Sequence, residues 1–264
     1  MSNLKKYQNL GDFHTHTIFS FHGMSSPTEM VEAAMDKGLK YIALTDHYYP
    51  FQAEYGRISG RSEEVFLNNQ ISRLWEIKRS FEPLSDKITV IPGFEHNVFS
   101  KASETFNTDV DCLNLIGLHN WFYWPGENFS TFKDSIERAF STGKFKIMAH
   151  LEREAYNLTD LGWSYFIKFM IEVIDICNDH HIVLEVNNSS IDDLFGADTT
   201  CAMMAWLKYA RDSKCHIIIN SDAHVKYNVG NIDAAVEVLN AVNYPADLII
   251  NFDEDKIKTF VLNK

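Results

Sequence analysis

At 264 residues the chain is long enough for one large α/β barrel or for two small domains. Its 45% hydrophobic and 23% charged residues are ordinary for a globular protein, and no apolar run approaches the roughly 18 residues that a membrane span needs. A formal net charge of −12 argues against a general nucleic-acid surface, though not against a phosphate-bearing substrate, because bound divalent cations reverse the field inside a pocket.

Residues 1–11 are polar, carry Lys5 and Lys6, and contain no apolar core, which argues against a secretory signal. The four cysteines (Cys112, Cys177, Cys201, Cys215) show no Cys-x-x-Cys spacing and are expected as reduced, buried or inert thiols of a cytoplasmic protein. Strands are predicted near 10–14, 40–45, 88–94, 113–118, 144–149, 182–187 and 216–220. Ile88-Thr89-Val90-Ile91 and His216-Ile217-Ile218-Ile219 are β-branched and nearly continuous, as parallel strands buried on both faces require.

Helical patterns lie between them. Ser26-Pro27-Thr28-Glu29 opens the first, with a proline in its first turn, and Gly38 ends it. Glu63 to Arg79 carries an inward stripe of Val65, Phe66, Ile71, Leu74 and Ile77, and further helices are expected near 129–141, 162–180, 199–213 and 231–241. No repeat or Pro/Gly/Ser linker interrupts this alternation, so residues 1–264 are taken as a single domain. No phosphate-binding glycine fingerprint follows the first strand, so the seven strand–helix units favour a (β/α)7 barrel of parallel strands, TIM-barrel-like, over a doubly wound sheet.

Chemistry gathers where these strands end. Asp12-Phe13-His14-Thr15-His16 places two imidazoles on one side of an extended chain, and His22 follows across a loop in which Gly23 gives conformational freedom. The second strand ends in Thr45-Asp46-His47, the third in Glu95-His96-Asn97, the fourth in His119-Asn120, the fifth in His150 and the seventh in Asp222-Ala223-His224. Eight of the eleven histidines thus fall at the C-terminal rim, where a barrel brings polar residues from several strands to one site. His96 points to the opposite face of its strand; it, His180, His181 and His216 are read as ordinary histidines. Packed without metal, clustered imidazoles and carboxylates would lack good partners. The donor set suits zinc, manganese or iron, and is too large for one ion.

The series His-x-His, loop His, Thr-Asp-His, Gly-x-Glu, His, His and Ser-Asp-x-His resembles the PHP (polymerase and histidinol phosphatase) family of metal-dependent phosphoesterases along nearly the whole chain. Leu184-Glu185-Val186-Asn187-Asn188-Ser189-Ser190 further resembles its stand-alone bacterial phosphatases. The resemblance implies a seven-stranded distorted barrel with three metal ions at the C-terminal rim. By motif, His14, His16, Glu95 and Asp222 would hold the first ion. Glu95 would bridge to a second, held by His119 and His150, and His22, His47 and His224 would hold the third. It implies hydrolysis of a small phosphomonoester such as L-histidinol phosphate, with metal-activated water as nucleophile and no nucleophile from the protein.

Asp46 is a candidate for orienting an imidazole, that of His47 being adjacent. Arg153 is the first candidate for gripping phosphate, ahead of Arg57, Arg61 and Lys226. The chain departs from the family at Leu151-Glu152-Arg153-Glu154, where a proline is common. Aromatic stretches at 48–51 and 121–125 would wall the substrate pocket or pack over the barrel mouth. The alternative is a phosphodiesterase or exonuclease for nucleotides or short single strands; the negative charge speaks against long nucleic acid. An amidohydrolase would carry a lysine where Glu95 stands, and a non-catalytic metal-binding module would have lost ligands.

Overall fold

The computed structural model describes residues 3–20, 22–48, 63–98, 108–119, 129–154, 162–193 and 197–262. Seven strands form one sheet in sequence order: β1 (Gly11–Asp12), β2 (Tyr41–His47), β3 (Thr89–Asn97), β4 (Leu113–Gly117), β5 (Ile147–Ala149), β6 (Val183–Asn187) and β7 (Ile217–Asn220). Every neighbouring pair is parallel. The first strand is shorter than its sequence suggests: beyond Asp12 its ladder with β2 breaks and the chain bends towards the other edge of the sheet, although the Thr45 N–H of β2 still donates to the Thr15 carbonyl at 2.9 Å. At that edge Thr15 bridges Ala223, and the His16 N–H donates to the Ala223 carbonyl at 2.8 Å. This link curls the sheet into a nearly closed barrel.

The helices are α1 (Pro27–Asp36), α2 (Glu63–Phe81), α3 (Phe129–Ser141), α4 (Trp163–Asp179), α5 (Asn188–Asp193), α6 (Ala197–Asp212) and α7 (Asp233–Ala241). Ser26 and Glu29 cap α1 reciprocally, with Pro27 in its first turn. Leu74 and Ile77 of the expected stripe are buried and Ile71 is half-buried; Val65 and Phe66 lie outside the described side chains. The short α5, directly after β6, and the helical turns over 254–261 go beyond the elements read from the sequence.

Period-2 alternation sorts the strand residues into two layers. Ala43, Ile91, Leu115, Val183 and Ile218 form one cluster, closed by Ile250, Ile257 and Val261 from the C-terminal turns. The intervening Ile116, Met148, Leu184, Val186, Ile217 and Ile219 pack with α3, α4, α6 and α7 in the other. The first set fills the barrel and the second seats the helices. Among the described residues no helix is long and apolar enough to cross a membrane. All four cysteines are free: Cys177 and Cys215 are buried, Cys112 is half-buried and Cys201 is exposed.

Asn251 sews the open seam. Its Oδ1 accepts from the Ile219 N–H at 2.6 Å, while Nδ2 donates to the carbonyls of Gly11 and Ile219 at 2.9 and 2.7 Å. Asn251→Ala would strand three buried backbone groups on β1 and β7, so a loss of about 2–4 kcal/mol is expected by chemical denaturation. A change below about 0.5 kcal/mol would show that closure does not depend on this side chain.

Candidate metal centre

The parity that fills the barrel also aims the rim residues. Four positions beyond Ala43, Ile91, Leu115 and Ile218 stand His47, Glu95, His119 and Asp222, and two beyond Val183 stands Glu185. These side chains therefore share the barrel axis, above its apolar filling. His14 and His16 come from the bend after β1, His22 from the following loop, His150 from the end of β5 and His224 from beyond β7. Gly23 is required in that loop because a Cβ would lie 1.9 Å from the Thr17 carbonyl oxygen.

Seven imidazoles form one continuous cluster. Ring centroids lie 4.3 Å apart for His16–His224 and His22–His224, 4.5 Å for His16–His47, 5.0 Å for His119–His150 and 5.5 Å for His14–His150. Glu95 lies among them. Its Oε1 is 3.0 Å from His119 Nε2, 3.5 Å from His14 Nε2 and in close contact with His150 Nε2; its Oε2 is 2.8 Å from His47 Nδ1 and 3.4 Å from His16 Nε2. Asp222 Oδ1 is 3.2 Å from His16 Nε2 and 3.6 Å from His14 Nε2. All nine residues expected as ligands thus converge on one site. His96 instead turns outward, with Nε2 3.0 Å from Asn114 Oδ1 and its ring on Tyr48.

The surroundings fix which nitrogen of each ring faces the centre. His14 Nδ1 donates to the Glu185 carboxylate at 2.9 Å. Ser20 Oγ gives its proton to Asp46 Oδ1 (2.6 Å), so it accepts from His16 Nδ1 (2.8 Å). His224 Nδ1 donates to the Asp222 carbonyl at 2.9 Å. In their neutral forms all three rings therefore present an Nε2 lone pair inward, and the Nε2 atoms of His14 and His16 stand only 3.1 Å apart. Glu95 Oε2 and Asp222 Oδ1, both buried, accept no hydrogen bond among the described residues. Such crowding of electron pairs calls for positive charge among them.

Divalent cations fit this donor set. Among the described residues, four overlapping groups have ligand atoms within 4.8 Å of one another: His16, His47 and His224; His14, His16 and Glu95; His14, His150 and Asp222; His47, Glu95 and His119. His14, His16, His47 and Glu95 each belong to two of them, as residues lying between adjacent ions would. Gly117 keeps the floor open, since a Cβ there would stand 2.9 Å from His150 Cε1 and 3.0 Å from His119 Nε2.

Electrostatics sort the donors. Burial alone would raise the pKa of Glu95 and Asp222, but the surrounding imidazoles hold both well below the carboxylate range. Burial and neighbouring rings push His22 down to about 4, and burial pushes His119 to about 4. Burial lowers the proton affinity of His14 and His150 as well, yet is outweighed. Glu185, Asp222 and Glu95 lift His14 well above its ordinary value, and Glu95 lifts His150 to about 9. Where the cluster most favours a proton, it would also favour a metal ion.

The remaining expectations divide. Asp46 does orient an imidazole, but that of His16 through Ser20; it also holds Thr17 at 2.7 and 2.8 Å. Arg153 stands at the rim, a third exposed, with Nη1 3.3 Å from Asp222 Oδ2. Lys226 turns away to Glu29 at 3.2 Å. Arg57, Arg61 and the aromatic stretches lie outside the described residues, except Tyr48, which is buried against Phe94 and His96. Sequence reasoning gives no role to Ser20, Glu185 or Glu152. The carboxyl of Glu152 is pushed up to about 8 by burial and by Glu185, and it accepts from the Asn187 N–H at 2.7 Å.

A (β/α)7 barrel with this cluster at its rim belongs to the metal-dependent hydrolases. Residues 12–258 match the PHP domain model, and the chain belongs to that family. It is 26% identical over 255 residues to the probable phosphatase YcdX of Escherichia fergusonii, covering 95% of this chain and 93% of that protein. The histidinol phosphate phosphatase HISK of Lactococcus lactis, whose structure is a complex with zinc, L-histidinol and phosphate, superposes with a TM-score of 0.57. That match has 15% identity and covers 90% of this chain and 95% of the other. The structures of YwqE from Bacillus subtilis and CpsB from Streptococcus pneumoniae, described as metal-dependent tyrosine phosphatases, give a TM-score of 0.54 at 17% identity, covering 90% and 89%. These relatives are in keeping with the expected phosphoric ester hydrolase.

A pH signature follows from the two raised imidazoles. With metals stripped by a chelator, folding takes up protons at His14 and His150. That stability is complete below the unfolded histidine value of about 6.5 and is lost as pH rises through about 9. Glu152, raised to about 8, acts in the same direction. Thermal unfolding midpoints in chelator should therefore fall from about pH 6.5 to about pH 9.5, whereas saturating zinc should remove or reverse the fall, since ligation needs unprotonated rings. A midpoint in chelator that rises across this range would contradict the assignment.

Proposed function

We propose that this chain is a cytoplasmic metal-dependent phosphatase that hydrolyses a small phosphomonoester at a centre of three divalent ions. The observation that carries the reading is the convergence of seven imidazoles with Glu95 and Asp222, six of those imidazoles and both carboxylates falling in four overlapping ligand groups among the described residues. Zinc, manganese or iron would suit these donors. When bound, the ions supply a nucleophile from water at neutral pH and positive charge facing the phosphoryl oxygens.

The chain's own residues do the rest. Glu95 belongs to two groups and would hold an ion of each, and Asp222, in contact with Arg153, would hold another face of the centre. Arg153, whose Nη1 donates to Asp222 Oδ2, would donate to a phosphate oxygen entering from the rim. L-histidinol phosphate is the first substrate to test, because the Lactococcus protein carries that activity in its name.

The test is a panel of phosphorylated metabolites, with histidinol phosphate and bis-p-nitrophenyl phosphate, assayed with manganese and with zinc. Monoester turnover is expected with about three bound metal equivalents, and it should vanish in His14→Ala/His16→Ala without unfolding. Turnover confined to the diester, or retained by that double variant, would overturn the reading. Arg153→Ala should raise KM for phosphate esters about tenfold while changing kcat less. An unchanged KM would remove phosphate binding from Arg153.

A further inference from the structure

Glu185 lies at the middle of β6 with no exposure to solvent, and four donors converge on it. Its Oε1 accepts from His14 Nδ1 (2.9 Å) and Asn220 Nδ2 (2.8 Å); its Oε2 accepts from the His150 backbone N–H (2.8 Å) and Asn187 Nδ2 (3.1 Å). Neither amide is free to turn over. Asn220 Oδ1 is committed to the Phe13 N–H and Asn187 Oδ1 to the Ser190 N–H, both at 2.9 Å. Only an ionised carboxylate can face donors on all four sides.

The two rim residues it holds come from different strands and flank Glu95. His14 takes its ring orientation and tautomer from Glu185, and His150 takes its backbone position. His150 has φ 30°, a conformation that a non-glycine residue keeps only when its surroundings enforce it.

We infer that Glu185 is a positioning residue of the metal centre, whose carboxylate sets the His14 tautomer and the His150 backbone so that groups on both sides of Glu95 assemble together. The inference rests on the proposed metal centre and extends it to a residue that contacts no ion.

The experiment must separate this role from mere filling of a buried hole. Glu185→Gln keeps the shape but turns an NH2 group against two donors. Adding Asn220→Asp repairs the clash. The amide introduced on β6 can then donate one hydrogen to the carboxylate introduced on β7 and the other to His14 Nδ1, and a buried carboxylate is retained nearby. The repaired network holds His14 in the wrong tautomer, with its proton on Nε2.

Zinc uptake by elemental analysis, chelator competition, thermal unfolding and 15N–1H correlation of the imidazoles in zinc-treated protein would be compared for the wild type, Glu185→Gln and Glu185→Gln/Asn220→Asp. The double variant is expected to recover most of the wild-type unfolding midpoint. Its weakest-held zinc should nonetheless bind about 10–100-fold less tightly than in the wild type, and the His14 Nδ1–H signal should be missing. A double variant that binds zinc like the wild type, or keeps the Nδ1–H signal, overturns the role of Glu185 alone. A wild type that takes up no zinc, manganese or iron overturns the metal centre itself, and this inference with it.

Discussion

Electron pairs that face one another across the barrel mouth are the constraint on which the structure turns. Two imidazole nitrogens 3.1 Å apart, with a carboxylate oxygen within 3.6 Å of each, are mutually repulsive unless positive charge lies among them. The scaffold nevertheless holds them there. His150 and Asp222 both keep positive φ, and conformations of that kind cost of order 1–3 kcal/mol each. The alternative of swinging the rings outward is blocked because the far side of each is tied: His14 to Glu185, His16 to Ser20, His224 to the Asp222 carbonyl. The apolar barrel filling and the two-layer helix packing stabilise a rim that would not assemble by itself.

Much of this is legible in the chain because one rule, the alternation of strand side chains, governs both layers and the site. Once Ile218 is placed inside, Asp222 follows, and once Ile91 is inside, Glu95 follows while His96 must face out. All seven strands can be placed for the same reason. The shortening of β1 cannot, because its departure depends on a partner, Ala223, more than two hundred residues away. Glu185 carries a visible signal, a lone acid between Leu184 and Val186 in an otherwise apolar strand, but its role depends on donors contributed by four other residues. Sequence adjacency sets Asp46 beside His47, whereas its hydrogen bonds run to Ser20 and through it to His16. Residues 46 and 47 point to opposite faces of β2, so the carboxylate reaches His16 through Ser20 instead.

The two neighbouring imidazoles of the opening motif are consequently unlike. His14 is backed by a buried, ionised carboxylate, and its affinity for a proton is raised; His16 is backed by a neutral hydroxyl, and burial with His47 leaves its affinity well below the ordinary value. A ring hydrogen-bonded to a carboxylate is the stronger electron donor. A His-x-His pair that looks symmetrical in sequence is thus split into a ring of raised and a ring of lowered proton affinity by groups 171 and 4 residues away.

This division of labour accounts for how the fold persists at 15–17% identity to solved relatives. The barrel interior asks only for apolar residues of suitable size at alternating positions, a requirement that many sequences meet. The rim asks for particular atoms, but those sit on strand ends whose direction the barrel already dictates. What lies outside both layers, the loops that would meet the organic part of a substrate, is bound by neither requirement. The framework therefore defines the reaction centre without defining the molecule brought to it. Arg153 stands at the transition: it is bound to Asp222 on the inside and a third exposed on the outside, where the buried centre meets the surface.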